Sequence, residues 1–221
     1  MTGERIPVTV LTAQRIASVA PPLAKALGLS ETHRSVALLS TDCDDVTYIA
    51  LDEATKAARV EVAYARSLYA GAANASTALA GEVIGILAGP DPAEVESGLH
   101  AALTLIESGI SFISARDDNK VVYLAHCVSR SGSYLSKQAH IAPGQAIAYL
   151  IAPPVEAILG LDRALKAADV RLCEFYAPPT ETNFAGGLLT GTESACRFAC
   201  AAFAQAVEET ANHPQEVFNG I

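Results

Sequence analysis

Apolar and polar residues follow one another along this chain in a pattern that predicts the same order of elements twice. Short apolar runs predict strands, and longer amphipathic runs bounded by proline or glycine predict helices. The predicted strands are 15–19, 36–40, 60–65, 83–88, 121–128, 146–151, 170–175 and 187–190. The predicted helices are 21–27, 47–58, a turn and helix over 131–138, 154–168, and one opening at each of Asp91 and Thr192. Mixed strands and helices in both halves predict an α+β protein.

The two halves also share sequence. Residues 51–60 return 110 residues later at 161–170, with 7 identities in 10 positions. That separation is half the length of the 221-residue chain. A duplication on this scale predicts two similar folding units, here 1–110 and 111–221, and an approximate twofold relation within each chain.

The separation between corresponding residues of the two halves is smaller in the late part of the repeat. Gly89 aligns with Gly191 at a separation of 102, so the first half carries 8 more residues between its last two strands. The extra length lies in 67–81, which consists mainly of small residues and is too irregular for a core element. Two interpretations stay open, a plain connector and a loop with a function of its own.

Composition adds a prediction about assembly. The chain is 51% apolar with a mean hydropathy of +0.28, and only 18% of its residues are charged, against about 25% in typical domains. The apolar surplus fits either subunit contacts or an alanine-rich core. A net charge of −9 and the absence of a basic run argue against nucleic acid as a partner.

Localisation and cysteine usage give simple expectations. No stretch is long and apolar enough to span a bilayer, and the first ten residues lack the features of a signal peptide. We therefore expect a soluble, cytosolic protein without a membrane partner. The five cysteines form no CxxC pair, so neither a disulfide framework nor a zinc ribbon is predicted. Cys196 and Cys200 share a helix face among alanines and are expected to be buried packing residues.

Sequence motifs do not favour an enzyme. The chain lacks the dinucleotide-binding, phosphate-binding, nucleophile-elbow and HExxH patterns, and its five histidines are scattered singly. The segment 129–133 could bind an anion through Arg130 and backbone amides, or could simply be a capped turn. We predict no catalytic residue, no metal site and no cofactor.

Three acidic residues form the strongest candidate for chemistry. Asp42, Asp44 and Asp45 lie between a predicted strand and a predicted helix. Clustered carboxylates repel one another unless water, a helix N-terminus or a cation offsets the repulsion. N-capping with solvated charge is one interpretation, and a cationic ligand is the other. An EF-hand is excluded because Val46 and Thr47 occupy positions that need an oxygen ligand and a glycine.

Several long segments resemble a known family. They are Cys-Asp-Asp-Val-Thr-Tyr at 43–48, Arg-Ser-Leu-Tyr-Ala-Gly-Ala at 66–72, Ser-Arg-Ser-Gly-Ser-Tyr-Leu-Ser at 129–136, Ala-Pro-Pro at 152–154, Pro-Pro-Thr-Glu-Thr-Asn at 178–183 and Gly-Gly-Leu-Leu-Thr-Gly from 186. Together they resemble the tandem-domain shell proteins of bacterial microcompartments, of the ethanolamine-utilisation type. The resemblance runs from about residue 15 to residue 211.

The resemblance implies an architecture and a function. It implies two tandem, circularly permuted microcompartment domains with ferredoxin-like βαβ elements, and a homotrimer that forms a pseudo-hexamer. Such trimers would tile edge to edge with other shell proteins and pass small metabolites such as ethanolamine through pores. The implied location is the shell of a bacterial microcompartment. The alternative from the residues alone is a small-molecule sensor or signalling trimer with duplicated α+β domains.

The resemblance also implies site residues. A small pore or pocket between the two domains would bind a protonated amino alcohol through Asp44, Asp45, Glu82, Phe112 and Thr182. Glu82 could equally be a strand-edge charge, and Phe112 a core residue. The loop 67–81 would gate a central opening of the trimer, with Tyr69, Ala70 and Gly71 as the candidate gate.

Overall fold

The protein is described by a computed structural model that covers residues 2–67, 82–178, 180 and 182–215. The described residues form two compact units. We call the unit built from the described residues of 7–111 and 130–145 the four-stranded unit. The other, built from the described residues of 1–6, 112–129 and 146–221, is the six-stranded unit.

Strands and helices alternate along the chain. The strands are β1 (Arg5–Ile6), β2 (Val10–Ile16), β3 (Ser35–Thr41), β4 (Glu61–Ser67), β5 (Val83–Gly89), β6 (Phe112–Ser114), β7 (Val122–Val128), β8 (Ala146–Ala152), β9 (Val170–Tyr176) and β10 (Ala185–Gly191). The helices are α1 (Pro21–Ala26), α2 (Asp44–Ala57), α3 (Pro92–Glu107), α4 (Ser133–Gln138), α5 (Pro154–Ala167) and α6 (Glu193–Asn212).

The four-stranded unit is an antiparallel sheet in the order β2-β3-β5-β4 with two long helices against it. The helices α2 and α3 pack on each other and on the sheet. At Gly85 of β5 the contact is very close, because a Cβ there would lie 2.6 Å from Cδ1 of Leu51 in α2. A larger residue at this position would push α2 away from the strand.

The six-stranded unit is an antiparallel sheet in the order β1-β6-β7-β8-β10-β9. All seven residues of β8 are buried, which explains its unbroken apolar sequence. The helices α5 and α6 pack on each other, and both also contact the sheet. Gly160 of α5 allows this, because a Cβ there would lie 2.6 Å from the Phe203 ring.

Most predicted elements are present, with shifted ends. The predicted helix 154–168 corresponds closely to α5, whereas the predicted strand 15–19 is wrong in position because β2 spans Val10–Ile16. Most of β2 is exposed, so hydrophobicity does not mark it. The helix α2 begins at Asp44, three residues earlier than predicted, because the extended Cys43 is its N-cap. The strands β1 and β6 have two and three residues and were not predicted.

The compact units do not coincide with the predicted domains 1–110 and 111–221. The segment 1–6 belongs to the six-stranded unit, through pairing of β1 with β6. The segment 130–145 belongs to the four-stranded unit, where α4 contacts α2. Each unit is therefore discontinuous in sequence, and the division into family domains at residue 110 stays a prediction.

Candidate functional site

The acidic residues lie at one end of the sheet in the four-stranded unit. Thr41, the last residue of β3, and Ser67, the last residue of β4, both pair with Val83, the first residue of β5. Residues 42–45, which follow β3, and Glu82, which precedes β5, therefore share this end. We call it the acidic end.

Asp44 and Asp45 are buried in the first turn of α2, with 4% and 7% of their surface exposed. The Asp45 backbone N–H donates to Asp44 Oδ1 at 2.9 Å. The positive end of the helix dipole lies at this turn and stabilises negative charge. Burial of two adjacent carboxylates is costly, so this turn is specialised compared with an ordinary solvated helix start.

A hydroxyl relay leads away from Asp44. Ser67 Oγ donates to Asp44 Oδ2 at 2.6 Å, and Tyr48 Oη lies 2.6 Å from Ser67 Oγ. Because Ser67 has one proton and gives it to Asp44, Tyr48 is the donor to Ser67. Burial, as the largest cause, raises the pKa of Tyr48, with Asp44 and Asp45 adding to the rise. Tyr48 therefore stays protonated as the donor.

The third acid of the cluster is used structurally. Asp42 Oδ1 accepts from the backbone N–H of Thr9 at 2.8 Å, and the Asp42 N–H donates to the Thr9 carbonyl at 3.1 Å. This reciprocal pair ties the chain before β2 to the end of β3. The N-cap of α2 is Cys43, which makes no side-chain cap bond, so the interpretation of these aspartates as the N-cap of the helix is not supported.

Cys43 is an inert neighbour of the acidic end. Burial raises the pKa of its thiol well above the ordinary value, and Asp44 and Asp45 raise it further. A thiol that stays protonated is a poor nucleophile and a poor metal ligand. In the described part of the chain, no group of three or more His, Cys, Asp or Glu residues is placed to hold a metal ion.

Glu82 is half-buried directly before β5. The structure therefore brings three of the five predicted ligand residues, Asp44, Asp45 and Glu82, to the acidic end. Tyr48 and Ser67 belong to the same group but were missed by sequence reasoning. Tyr48 could have been found, because it lies one helical turn after Asp44. Ser67 could not, because only strand register places it there.

The other two predicted ligand residues lie in the six-stranded unit. Phe112 in β6 is buried, and its ring lies 5.5 Å from the ring of Phe184. Thr182 is buried in the turn before β10, and its hydroxyl lies 3.5 Å from the hydroxyl of Thr180. Thr180 Oγ1 donates to the Phe184 carbonyl at 2.8 Å. Phe184 thus links Phe112 to the turn that carries Thr182.

The predicted gate residues Tyr69, Ala70 and Gly71 lie outside the described residues. Cys196 and Cys200 are buried, as predicted for packing residues. Burial raises the pKa of Cys196 to about 11 and that of Cys200 further still. No helix in the described part of the chain is both long and apolar enough to cross a membrane.

The turn at 129–133 is a capped turn. Asp52 is fully buried, and its carboxylate accepts from the Gly132 N–H at 2.7 Å and the Leu135 N–H at 2.8 Å. Thr55 Oγ1 accepts from the Ser133 N–H at 3.0 Å. These amides already have acceptors, so the alternative of an anion site is not supported. Sequence reasoning missed Asp52, because its partners lie 80 and more residues away.

Known proteins match both the sequence and the fold. The BMC domain family matches residues 35–115. The bacterial microcompartment shell protein EutL of Clostridium perfringens is 63% identical over 214 residues, which cover 97% of this chain and 99% of that protein. A crystal structure of the Clostridium perfringens protein has a TM-score of 0.94 with 61% identity over the whole of both chains.

Two further structures extend the comparison. The ethanolamine utilization protein EutL from Leptotrichia buccalis has a TM-score of 0.93 and 61% identity, over 98% of this chain and 100% of that one. A trimeric microcompartment shell protein, PduB, shares the fold with a TM-score of 0.75 at 19% identity, over 92% of this chain and 89% of that one.

These relationships confirm several predictions. They confirm the resemblance to tandem-domain shell proteins, the α+β microcompartment fold and a structural rather than enzymatic function. They also confirm a place in the shell of an ethanolamine-utilisation microcompartment and do not favour the sensor alternative. The chain belongs to the EutL family of bacterial microcompartment shell proteins.

Proposed function

We propose that the chain assembles as a homotrimeric, pseudo-hexameric shell tile whose pores pass small metabolites, and that its acidic end binds a protonated amine such as ethanolamine. One observation carries the binding proposal. Asp44 and Asp45 are adjacent carboxylates with only 4% and 7% of their surface exposed, and Glu82 lies at the same end of the sheet.

The chemistry of the ligand fits this arrangement. A primary ammonium group has one positive charge and three donors, and carboxylates are its strongest acceptors. A bound cation offsets the repulsion between neighbouring carboxylates and the cost of burying them. Ethanolamine also has a hydroxyl group, which needs one further polar partner at the site. A neutral diol of the same size lacks the charge and is expected to bind much more weakly.

Assembly is supported by the surface and by the fold. Val155, Ile158, Leu159 and Phe198 are between 49% and 63% exposed in the single chain. Large exposed apolar side chains on one unit are typical of subunit contacts. The trimeric PduB protein has the same fold. Edge-to-edge contact with other shell proteins is the corresponding proposal for partners.

Two parts of the predicted pore stay predictions. Phe112 and Thr182 belong to the predicted ligand set, but they lie in the six-stranded unit, and their role in binding rests on the family resemblance. Gated passage through a central opening, with Tyr69, Ala70 and Gly71 as the gate, also rests on that resemblance. Neither is needed for the binding proposal at the acidic end.

Isothermal titration calorimetry with ethanolamine tests the binding proposal. We expect at least tenfold weaker binding for Asp45→Asn and for Glu82→Gln than for the wild type, because each variant removes one carboxylate charge. Glu107→Gln is the matched control, since Glu107 is an exposed acid at the end of α3 in the same unit. Ethylene glycol is the neutral probe. Equal affinity in all four proteins, or equal binding of both ligands, would contradict the proposal.

A further inference from the structure

The hydroxyl relay at the acidic end has a fixed direction, because each hydroxyl group carries a single proton. Ser67 Oγ donates its proton to Asp44 Oδ2, and Tyr48 Oη donates its proton to Ser67 Oγ, with 2.6 Å between the oxygen atoms of each pair. Burial, as the largest cause, raises the pKa of Tyr48 above its ordinary value, so this tyrosine remains a donor near neutral pH. The relay therefore ends with a hydroxyl proton directed at the Asp44 carboxylate.

Two donors from different elements hold the Asp44 carboxylate. Its Oδ1 atom accepts from the Asp45 backbone N–H of α2 at 2.9 Å, and its Oδ2 atom accepts from Ser67 at the end of β4. A donor on each oxygen restricts rotation of the carboxylate, because hydrogen bonds weaken steeply when their angles change. Both donors also favour the charged form of the carboxylate, which burial alone would disfavour. Asp44 is thereby kept ionised and in one orientation.

The first residue of the relay, Tyr48, is itself held in place. Its ring lies 6.2 Å from the ring of Tyr134 in α4, centroid to centroid. The helix α4 is fixed on α2 in turn, because the Asp52 carboxylate accepts from the Gly132 and Leu135 amides. All of these groups belong to the four-stranded unit. The Tyr48 hydroxyl therefore donates from a position that packing determines.

Two further hydroxyl groups at the acidic end are also used within the protein. Thr41 Oγ1 and Thr47 Oγ1 lie 2.6 Å from each other, and they lie 2.9 and 2.8 Å from the Cys43 carbonyl oxygen. Like the two hydroxyls of the relay, they direct their protons to acceptors of the protein. These four hydroxyl groups are thus committed as donors, and the neighbouring carboxylates are acceptors when ionised. A ligand that supplies N–H donors fits this arrangement.

We propose that Tyr48 and Ser67 are positioning residues for the amine ligand, because they hold the Asp44 carboxylate charged and in one orientation, where it accepts an N–H donor of the ligand. Tyr48 acts through Ser67, and Ser67 acts through Asp44. This role rests on the proposed amine site and adds to it two neutral residues that touch the carboxylate or its partner. A primary ammonium group, with three donors and no acceptor, is the matching ligand group.

Isothermal titration calorimetry with ethanolamine tests the Ser67 hydroxyl. We expect about tenfold weaker binding for Ser67→Val than for the wild type, because the Asp44 carboxylate loses a hydrogen bond that favours its charged form. Ser67→Thr has nearly the same shape as Ser67→Val but keeps the hydroxyl, so its affinity should lie within about threefold of the wild type. Equal weakening in both variants would contradict the proposal, since shape and not the hydroxyl would then matter.

Tyr48→Phe tests the order of the relay. It removes only the donor to Ser67, and we expect about threefold weaker ethanolamine binding. The same change made together with Ser67→Val should have no further effect, because Tyr48 then has no hydrogen-bonded path to the carboxylate. Tyr64→Phe is the matched control, since Tyr64 is 41% exposed on β4. Additive losses in the double variant would contradict a role of Tyr48 through Ser67.

Folding and ligand binding are controlled separately. Circular dichroism checks that each variant is folded, and Ser67→Ala replaces Ser67→Val if that variant is unfolded. A wild type that does not bind ethanolamine would overturn the proposed amine site and this role with it. A wild type that binds ethanolamine, with unchanged affinity in Ser67→Val and Tyr48→Phe, would overturn the positioning role and leave the amine site standing.

Discussion

At the level of single residues, the acidic end contains a chain of hydrogen bonds in which each hydroxyl group donates to the next oxygen. Ser67 donates to Asp44, and Tyr48 donates to Ser67, each at 2.6 Å. Asp52, which lies further along the same helix, is fully buried, and its carboxylate accepts hydrogen bonds from two backbone amides. The two aspartates have similar burial but different roles, since one stabilises a turn and the other lies at the candidate ligand site.

Ser67→Ala is expected to lower the free energy of unfolding by about 1–3 kcal/mol, because Tyr48 Oη and Asp44 Oδ2 each lose a partner. Urea denaturation followed by circular dichroism measures the change. Ser108→Ala is the control, since Ser108 is exposed and donates only to the Leu105 carbonyl at a helix end. Equal stability of the two variants would show that the relay contributes nothing.

Asp52 predicts a pH dependence of stability. Burial raises its pKa above the ordinary value of 3.8, although the amides of Gly132 and Leu135 oppose the rise. A carboxyl group whose pKa is higher in the folded protein than in the unfolded chain stabilises the folded protein at pH values below its unfolded pKa. That stabilisation is lost as the pH rises through its folded pKa. The free energy of unfolding of the wild type minus that of Asp52→Asn should therefore be larger near pH 4 than at pH 7. Urea denaturation at both pH values measures this, and a difference that grows toward pH 7 would contradict it.

At the level of elements, close backbone contacts decide which helix packs where. The short helix α4 packs on α2 because Gly132 allows its turn to approach Asp52 and Thr55. A Cβ at Gly132 would lie 2.2 Å from Thr55 Oγ1 and 2.5 Å from the Asp52 carbonyl oxygen. The helix α3 begins in the ordinary way, with Asp91 accepting from the Ala93 and Glu94 amides. Hence α3 is recognisable from sequence, whereas the position of α4 is not.

Gly132→Ala is expected to destabilise the protein by about 1–3 kcal/mol, because the added methyl group forces the turn away from α2. Thermal unfolding measures the loss. Ser133→Ala is the neighbouring control, since the exposed Ser133 contributes only its backbone amide to the contact. A Gly132→Ala protein as stable as Ser133→Ala would mean that the turn can move without cost.

At the level of the whole molecule, charge and apolar surface act in opposite directions. Each chain has a net charge of −9 at neutral pH and a pI near 5.0. Exposed apolar side chains on α5 and α6 favour association. Like-charged tiles repel one another over distances of about 8 Å at physiological salt, and added salt shortens that range.

Edge-to-edge sheets are therefore expected to form more readily at 300 mM salt, where the Debye length is about 6 Å, than at 10 mM salt, where it is about 30 Å. Negative-stain electron microscopy and turbidity at constant protein concentration measure sheet formation. Lowering the pH toward the pI should act in the same direction. Sheets that dissolve as salt is added would indicate that ion pairs, and not apolar contacts, hold the tile edges together.

The duplication, the α+β class, the family and the identity of the acidic residues follow from the amino-acid sequence, because these depend on local patterns and on residue types. It marked α5 and α3 well, since amphipathic periods and capping residues are local signals. Only the tertiary structure placed Ser67 beside Asp44 and bound 130–145 to α2, because strand register and contacts across 80 residues leave no local pattern.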